Sequence, residues 1–249
     1  MSALRAKCPD CRTLTAVAIG SEYQCHSCGR EFGAGLLRVP RAWGAGGEAM
    51  AAAAAMSLPW PEAATIAEAT LEEQIETTAR ELPTRPLVLG GCCCSHVGAV
   101  RELSRRHGRV AVVWIDAHGD LNTPESSPSG NTWGMPLRML IDAGDVAAED
   151  VTLLGARSLD PPEEAFIAES GIRRELGELP ERVYVALDCD VIDPPELDVW
   201  MPEPDGIPLA ELETLLAAIP GPIGAGFTGL KPSRRNEAAL ARLGHALGV

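Results

Sequence analysis

Two short acidic clusters carry the chemistry that the sequence offers most plainly. Asp116-Ala117-His118-Gly119-Asp120 directly follows an apolar run at 110–115, and Asp188-Cys189-Asp190 directly follows another at 183–187. In extended backbone, positions i, i+2 and i+4 point to one side, so Asp116, His118 and Asp120 are expected to converge. By the same period Asp188 and Asp190 point one way and Cys189 the other. Four carboxylates and an imidazole at adjacent strand ends cannot all be ionised and close together without a cation. Oxygen ligands with a single nitrogen favour Mn²⁺, with Fe²⁺ or Co²⁺ as alternatives. Bridging carboxylates would set two such ions about 3.5–4 Å apart, the spacing of two-metal hydrolases. Each cluster alone also suits a helix cap or a turn after a strand. Their joint occurrence, with a histidine in register, argues for metal.

Cysteine supplies two more clusters. Gly91-Cys92-Cys93-Cys94 follows an apolar run at 87–89, and two pairs, Cys8-Pro-Asp-Cys11 and Cys25-His-Ser-Cys28, lie near the N-terminus. Each CxxC turn brings two thiolates together, and two such turns complete a tetrahedral site. This spacing resembles a zinc ribbon. Residues 1–34 contain too few apolar residues for a core, so a structural zinc would supply the folding energy. They carry four basic and three acidic side chains, which gives no basic face for nucleic acid. A structural or partner-docking role is the expectation.

Elements must place these clusters. The chain has 249 residues, 46% hydrophobic and 22% charged, with a net charge of −14. That balance is globular, and the charge speaks against binding a phosphate backbone. No apolar run approaches the roughly 20 residues of a membrane span. The N-terminus lacks a signal-peptide pattern, so a cytoplasmic location is expected. Residues 36–39 read as one strand, followed by a Gly- and Ala-rich loop. The spacing of Ile66, Ala69, Leu71, Ile75 and Ala79 predicts a helix after Pro61. Beyond it strands and helices alternate: strands at 87–89, 110–115, 151–154, 183–187 and 223–227, and helices at 97–107, 136–142, 162–168, 209–219 and 236–247. Alternation with continuously apolar strands predicts a parallel sheet covered on both faces. In such a sheet ligands bind beyond the carboxyl ends of the strands, where the two acidic clusters and Gly91–Cys94 fall.

Residues 116–124, DAHGDLNTP, resemble the DAHxDxNTP signature of the ureohydrolase family, which includes arginases, agmatinases, guanidinobutyrases and formimidoylglutamases. Ser129-Gly130-Asn131-Thr132-Trp133-Gly134-Met135-Pro136 resembles its SGNxHGMP segment, and Asp188 to Pro194 its DxDxxDP signature. Leu89-Gly90-Gly91-Cys92-Cys93 is similar to a degraded GGDH. The resemblance spans about 85–249. It implies an α/β/α three-layer sandwich with a mainly parallel sheet over 35–249, in which 35–60 form a shortened first strand and loop, beside the ribbon at 1–34. It implies that Asp116 and Asp188 bridge two metal ions, that His118 and Asp190 complete one site, and that Asp120 serves the other and orients a bridging hydroxide. Asn122, Ser129, Asn131 and Trp133 fall at substrate-binding positions. A homo-oligomer is expected on the same ground.

Three departures qualify that picture. The family's GGDH histidine is Cys93, either a soft ligand better suited to Zn²⁺ or Fe²⁺ than to Mn²⁺, or an inert packing residue. His96, near a helix start, reads as a solvated or capping residue rather than a replacement ligand. The histidine of SGNxHG is Trp133, which cannot titrate. The glutamate that would hold a cationic guanidinium is Gly229. The reading is a metal-dependent hydrolase of non-peptide C–N bonds in a linear amidine or guanidino-type small molecule, with arginine and agmatine not expected as substrates. The alternative is a non-catalytic metal-binding or regulatory protein that docks a partner through the ribbon.

Overall fold

Long apolar runs with β-branched residues make the central strands, and glycine or aspartate ends them where the chain must turn. The computed structural model describes residues 5, 6, 8, 10, 11, 13–19 and 22–248. Strands β1 (Arg5–Ala6), β2 (Ala16–Ile19) and β3 (Glu22–Cys25) form an antiparallel meander. Strand β4 (Glu31–Val39) extends it, pairing Tyr23 with Phe32. Its second half then pairs in parallel with β5 (Glu62–Thr65) and, on the other edge, β6 (Arg85–Gly90). One strand therefore serves both the cysteine module and the main sheet, and the expected division at 34/35 falls inside it. The meander lengthens the strand expected at 36–39 to nine residues.

The main sheet continues from β6 through β10 (Gly224–Thr228), β9 (Val183–Asp188) and β7 (Ala111–Ile115) to β8 (Val151–Leu154), all parallel. Short helix α1 (Gly47–Met50) and α2 (Leu71–Glu81) precede β6. The later helices are α3 (Val97–His107), α4 (Pro136–Asp142), α5 (Pro161–Ser170), α6 (Leu209–Ala218) and α7 (Arg234–Leu247). Alternate strand residues bury opposite faces, as period two requires. Leu87, Val113, Val185 and Phe227 pack with Leu212 and Leu216 of α6 and Leu240 and Leu243 of α7. Val88, Val112, Tyr184 and Ala186 pack with Ile75, Val100, Leu103 and Leu137 of α2, α3 and α4. The result is the three-layer α/β/α sandwich, with seven parallel strands at its centre.

Residues 62–65 form an edge strand where a helix was expected. Helix α2 starts only at Leu71, because Thr70 and Glu73 cap it reciprocally: Glu73 N donates to Thr70 Oγ1 at 3.2 Å, and Thr70 N to Glu73 Oε2 at 3.1 Å. Consecutive strands β6 and β7 are separated in the sheet by β10 and β9. The strand order reverses there, which opens a crevice at the carboxyl ends of these four strands. No helix among the described residues is long and apolar enough to cross a membrane.

Candidate metal centre

The two acidic clusters hang from the carboxyl ends of β7 and β9. They are gathered by turns, not by the pleat that their spacing predicted. Strand β7 stops at Ile115, and the Asp116 carboxylate accepts from His118 N at 2.7 Å. Asp188 Oδ1 accepts from Asp190 N at 3.0 Å in the same way. Aspartate bonds its own backbone two residues on, so each motif folds itself into a tight acidic corner. Ala117 N donates to Asp190 Oδ1 at 3.2 Å and ties the corners together. Asp120 has φ 53°, a left-handed conformation uncommon for a residue with a side chain and often found at functional sites.

His118 Nδ1 lies 3.3 Å from Asp116 Oδ1 and 3.2 Å from Asp190 Oδ2. Its other nitrogen, Nε2, is 3.5 Å from Glu203 Oε1. Cys93 Sγ lies 3.1 Å from Asp188 Oδ2 and 3.6 Å from Asp116 Oδ2. Thr228 Oγ1 is 3.1 Å from that sulfur and donates to Asp188 Oδ2 at 3.2 Å. Trp114 Nε1 donates to Asp116 Oδ2 at 3.3 Å. Two groups of ligand atoms each fall within 4.8 Å: Cys93, Asp116 and Asp120, and Asp116, His118 and Asp190. Asp116 belongs to both.

All four aspartates are buried. Burial first, then the neighbouring Asp190, pushes Asp188 up to about 7. Burial and then Asp116 push Asp190 up to about 6 and raise Asp120 well above the carboxylate range. Burial alone would lower His118, but the Asp116 and Asp190 carboxylates outweigh it and push the imidazole up to about 12. Asp120 Oδ2 is buried without a hydrogen bond, and Asp190 Oδ2 is buried with only the His118 imidazole beside it. Such oxygens cost stability unless a cation meets them. The donor set therefore fits divalent metal.

The four N-terminal cysteines also gather within 4.8 Å. Cys8 Sγ lies 3.5 Å from Cys28 Sγ, and Cys11 Sγ 3.5 Å from Cys25 Sγ. A four-sulfur set of this kind can hold zinc, which takes such ligands tetrahedrally. His26 is exposed and does not belong to this group of ligand atoms.

A cavity of about 280 Å³ opens over the aspartates, and Cys93, Asn122, Ser129, Asn131 and Trp133 all line it. Their remaining bonds differ. Asn122 Nδ2 donates to Asp160 Oδ2 at 2.8 Å, and its Oδ1 accepts from Ser126 Oγ at 2.8 Å. Asn131 Oδ1 accepts from Ala45 N at 2.8 Å, which anchors the loop after β4. Ser129 Oγ accepts from Asn131 N at 3.2 Å.

Sequence reasoning missed Met50, Met201, Asp160 and Glu163 in this lining. Asp160-Pro-Pro-Glu163 did carry a signal, the capping-box spacing at a helix start just beyond β8. Met50 ends the four-residue helix α1, too short to show a period, and Met201 lies in an irregular segment. His96 corrects another expectation. It is fully buried, not solvated, and although it stands at the N-cap position of α3 its side chain makes no cap bond; Nδ1 is 3.0 Å from Tyr184 Oη and its ring is edge-on to Trp114. Gly226 leaves the space it fills, since a Cβ there would sit 2.7 Å from His96 Cε1. His96 does not line the cavity, and burial pushes it down to about 3.

A parallel sheet with an acid-lined cleft at its switch point makes this an α/β protein whose cleft fits divalent metal. The model of the arginase family matches residues 49–248, and the chain belongs to that family. The arginase of Staphylococcus aureus (strain COL) is 38% identical over 142 residues, covering 45% of this chain and 47% of that protein. The chain thus spans about half the length of the curated relatives it matches. The crystal structure of Bacillus subtilis arginase superposes with TM-score 0.76 at 24% identity, covering 86% of this chain and 97% of that one. The Bacillus subtilis formimidoylglutamase structure gives TM-score 0.72 at 18% identity, covering 86% and 85%. At these identities both structures speak for the fold.

Gly229, where the family glutamate was expected, has φ +78°, and a Cβ there would lie 1.9 Å from Asp188 Oδ1. No side chain fits at that position unless Asp188 moves.

Proposed function

We propose that this chain is a metal-dependent hydrolase of a non-peptide C–N bond in a linear amidine or guanidino-type small molecule. One observation carries the reading: two ligand clusters share Asp116 and close over a cavity of small-molecule size. Cys93, Asp116, Asp120 and Asp188 would hold one ion, and Asp116, His118, Asp188 and Asp190 the other. The His118 cluster suits Mn²⁺, while the Cys93 thiolate favours Fe²⁺, Co²⁺ or Zn²⁺. When bound, such ions supply a hydroxide nucleophile at neutral pH by lowering the pKa of water from about 15.7 toward about 7. Asp120 orients the attacking oxygen, accepts its proton and returns it to the leaving amine. Glu203 beside His118 Nε2 keeps Nδ1 turned to the cluster, as carboxylate partners of ligating histidines do. Ser129, Asn131 and Trp133 contact the substrate at the rim, and Asn122 braces that wall. The ribbon cysteines hold a structural zinc.

Arginine and agmatine are not the substrates in this reading. Gly229 offers no anion to a guanidinium, and a charge-assisted hydrogen bond contributes about 1.5–3 kcal/mol. Asp188→Ala tests the proposal. It should empty the cleft, by elemental analysis, and abolish turnover across a panel of amidines, hydroxyguanidines and formimino compounds. Turnover that survives in Asp188→Ala would sink the hydrolase reading. A wild-type cleft that holds metal yet turns over no member of the panel would favour the binding or regulatory alternative.

A further inference from the structure

Arg157 stands just past β8, beside the metal corners but outside the lining of the cleft. Its backbone N and that of Ser158 both donate to Ala117 O at 2.9 Å, inside the β7 corner. Its guanidinium reaches three further segments. Nη1 donates to Gly155 O at 3.1 Å and Val191 O at 3.3 Å. Nη2 donates to Asp190 O at 3.2 Å and Glu203 O at 3.1 Å, and Nε to Pro204 O at 2.7 Å. A guanidinium has five N–H groups, and here each meets a neutral carbonyl. Arg157 is therefore closed to a ligand and acts as a brace.

The braced segments differ in what else holds them. The β9 corner has bonds of its own. Asp188 Oδ1 takes Asp190 N at 3.0 Å, Ala117 N reaches Asp190 Oδ1 at 3.2 Å, and Ile207 N reaches Val191 O at 2.9 Å. The loop 201–206 has less. Trp200 N is pinned to Gly229 O at 2.9 Å, and Ile207 N to Val191 O. Between them, among the described residues, the hydrogen bonds of the loop backbone all come from Arg157. Pro202 and Pro204 have no N–H to give. Asp205 has φ 57°, a conformation that persists only where its surroundings hold it. Yet this loop brings Met201 to the cleft wall and Glu203 Oε1 to 3.5 Å from His118 Nε2.

We infer that Arg157 is a positioning residue of the metal centre: it fixes the loop 201–206 so that Glu203 stays on His118 Nε2 and Nδ1 stays turned to Asp116 and Asp190. This rests on the metal reading above. The outer partner of a ligating histidine contributes about 10–100-fold to metal affinity. Arg157 acts on that partner through the loop, so losing either residue removes the same contact. A lysine keeps the charge but lacks the planar fork, and cannot span five carbonyls.

The test titrates Mn²⁺ into the full chain, its four-cysteine site first filled with Zn²⁺, and reads free Mn²⁺ by electron paramagnetic resonance. The unaltered chain is compared with Arg157→Gln, Glu203→Gln and the double variant. Each single change should weaken the tightest Mn²⁺ site by about 10-fold or more. The double variant should be no more than about 3-fold weaker than the weaker single one, because the two changes are coupled. Arg157→Lys should behave as Arg157→Gln does. A brace that served only stability would leave Mn²⁺ affinity unmoved in a folded Arg157→Gln, or its effect would multiply with that of Glu203→Gln. Either result overturns the inference. Full affinity in Arg157→Lys reduces the role to charge and overturns it too. So does failure of both Arg157 variants to fold, by circular dichroism, which makes Arg157 a residue of the fold alone. An unaltered chain that takes up no Mn²⁺ overturns the metal reading together with this inference, whereas normal uptake with unmoved variants overturns the inference by itself.

Discussion

Cys93 is the residue at which the two proposed ion sites differ in hardness. Its sulfur sits 3.1 Å from Asp188 Oδ2 and from Thr228 Oγ1, within a group that includes Asp116 and Asp120. If the thiolate ligates, Cys93→Ala should lower the bound-metal count by about one ion and leave the His118–Asp190 site filled. Cys93→His should restore a harder donor and shift preference toward Mn²⁺. Elemental analysis after dialysis against each metal reads both outcomes. Unchanged metal content and activity in both variants would make the thiol a packing residue. The acidic residues of the cleft were legible in the sequence because aspartate and histidine stood immediately after apolar runs. The pleated geometry read from their spacing was not what gathers them, since aspartate bonds to the local backbone more readily than it extends a strand. Met201 and Glu203 were not legible: they lie in a proline-rich loop, and only tertiary folding brings them to the cleft.

Elements place the site through connections that are themselves pinned. At the end of α3, Glu102 takes Arg105 Nε at 2.7 Å and Arg106 Nε at 2.7 Å. Arg106 in turn donates to Leu82 O at 2.7 Å and Pro83 O at 3.1 Å, which ties α3 to the turn before β6. The Arg105 hydrogen bond chiefly, with Arg106 adding to it against the opposing effect of burial, pulls Glu102 down to about 2 from an ordinary 4.5. Between those values the unfolded chain binds more protons than the folded one, so stability rises with pH through this window. The contribution is complete above about pH 4.5 and is lost as pH falls toward about 2. The stability gap between the unaltered chain and Glu102→Gln, from urea unfolding, should therefore narrow from pH 7 to pH 3. A gap that stays constant would remove Glu102 ionisation from the account. Helix α3 itself was legible to the residue, 97–107, because His107 is followed by Gly108, whose φ of +76° ends it. Strand β5 was not. Glu62-Ala-Ala-Thr65 has one β-branched residue, and only the open edge of β4 makes it a strand.

At the scale of the whole molecule, the cysteine module and the cleft are two clusters of metal-ligating side chains on one continuous sheet. Strand β4 joins them: Glu31, Phe32 and Gly33 pair with β3, while Ala34 to Val39 pair with β6. The module has a small core of its own, with Tyr23 and Phe32 stacked at 5.6 Å beside Cys8 and Cys25. Few apolar side chains are buried there, so metal would contribute most of its folding free energy. The main sheet, by contrast, is buried on both faces without any help from the module. Replacing Cys25 and Cys28 by serine should therefore remove one zinc per chain and fray the pairing at Glu31 to Gly33, leaving Ala34 to Val39 in place. Cleft metal should stay bound, and hydrogen exchange should rise in residues 22–33 while β6, β9 and β10 stay protected. The measurement is metal analysis and amide exchange on the same double variant. Unchanged zinc would remove the four-cysteine site. Loss of the cleft metal as well would mean that β4 transmits order from the module to the catalytic end of the sheet, and that the module is an integral part of the centre.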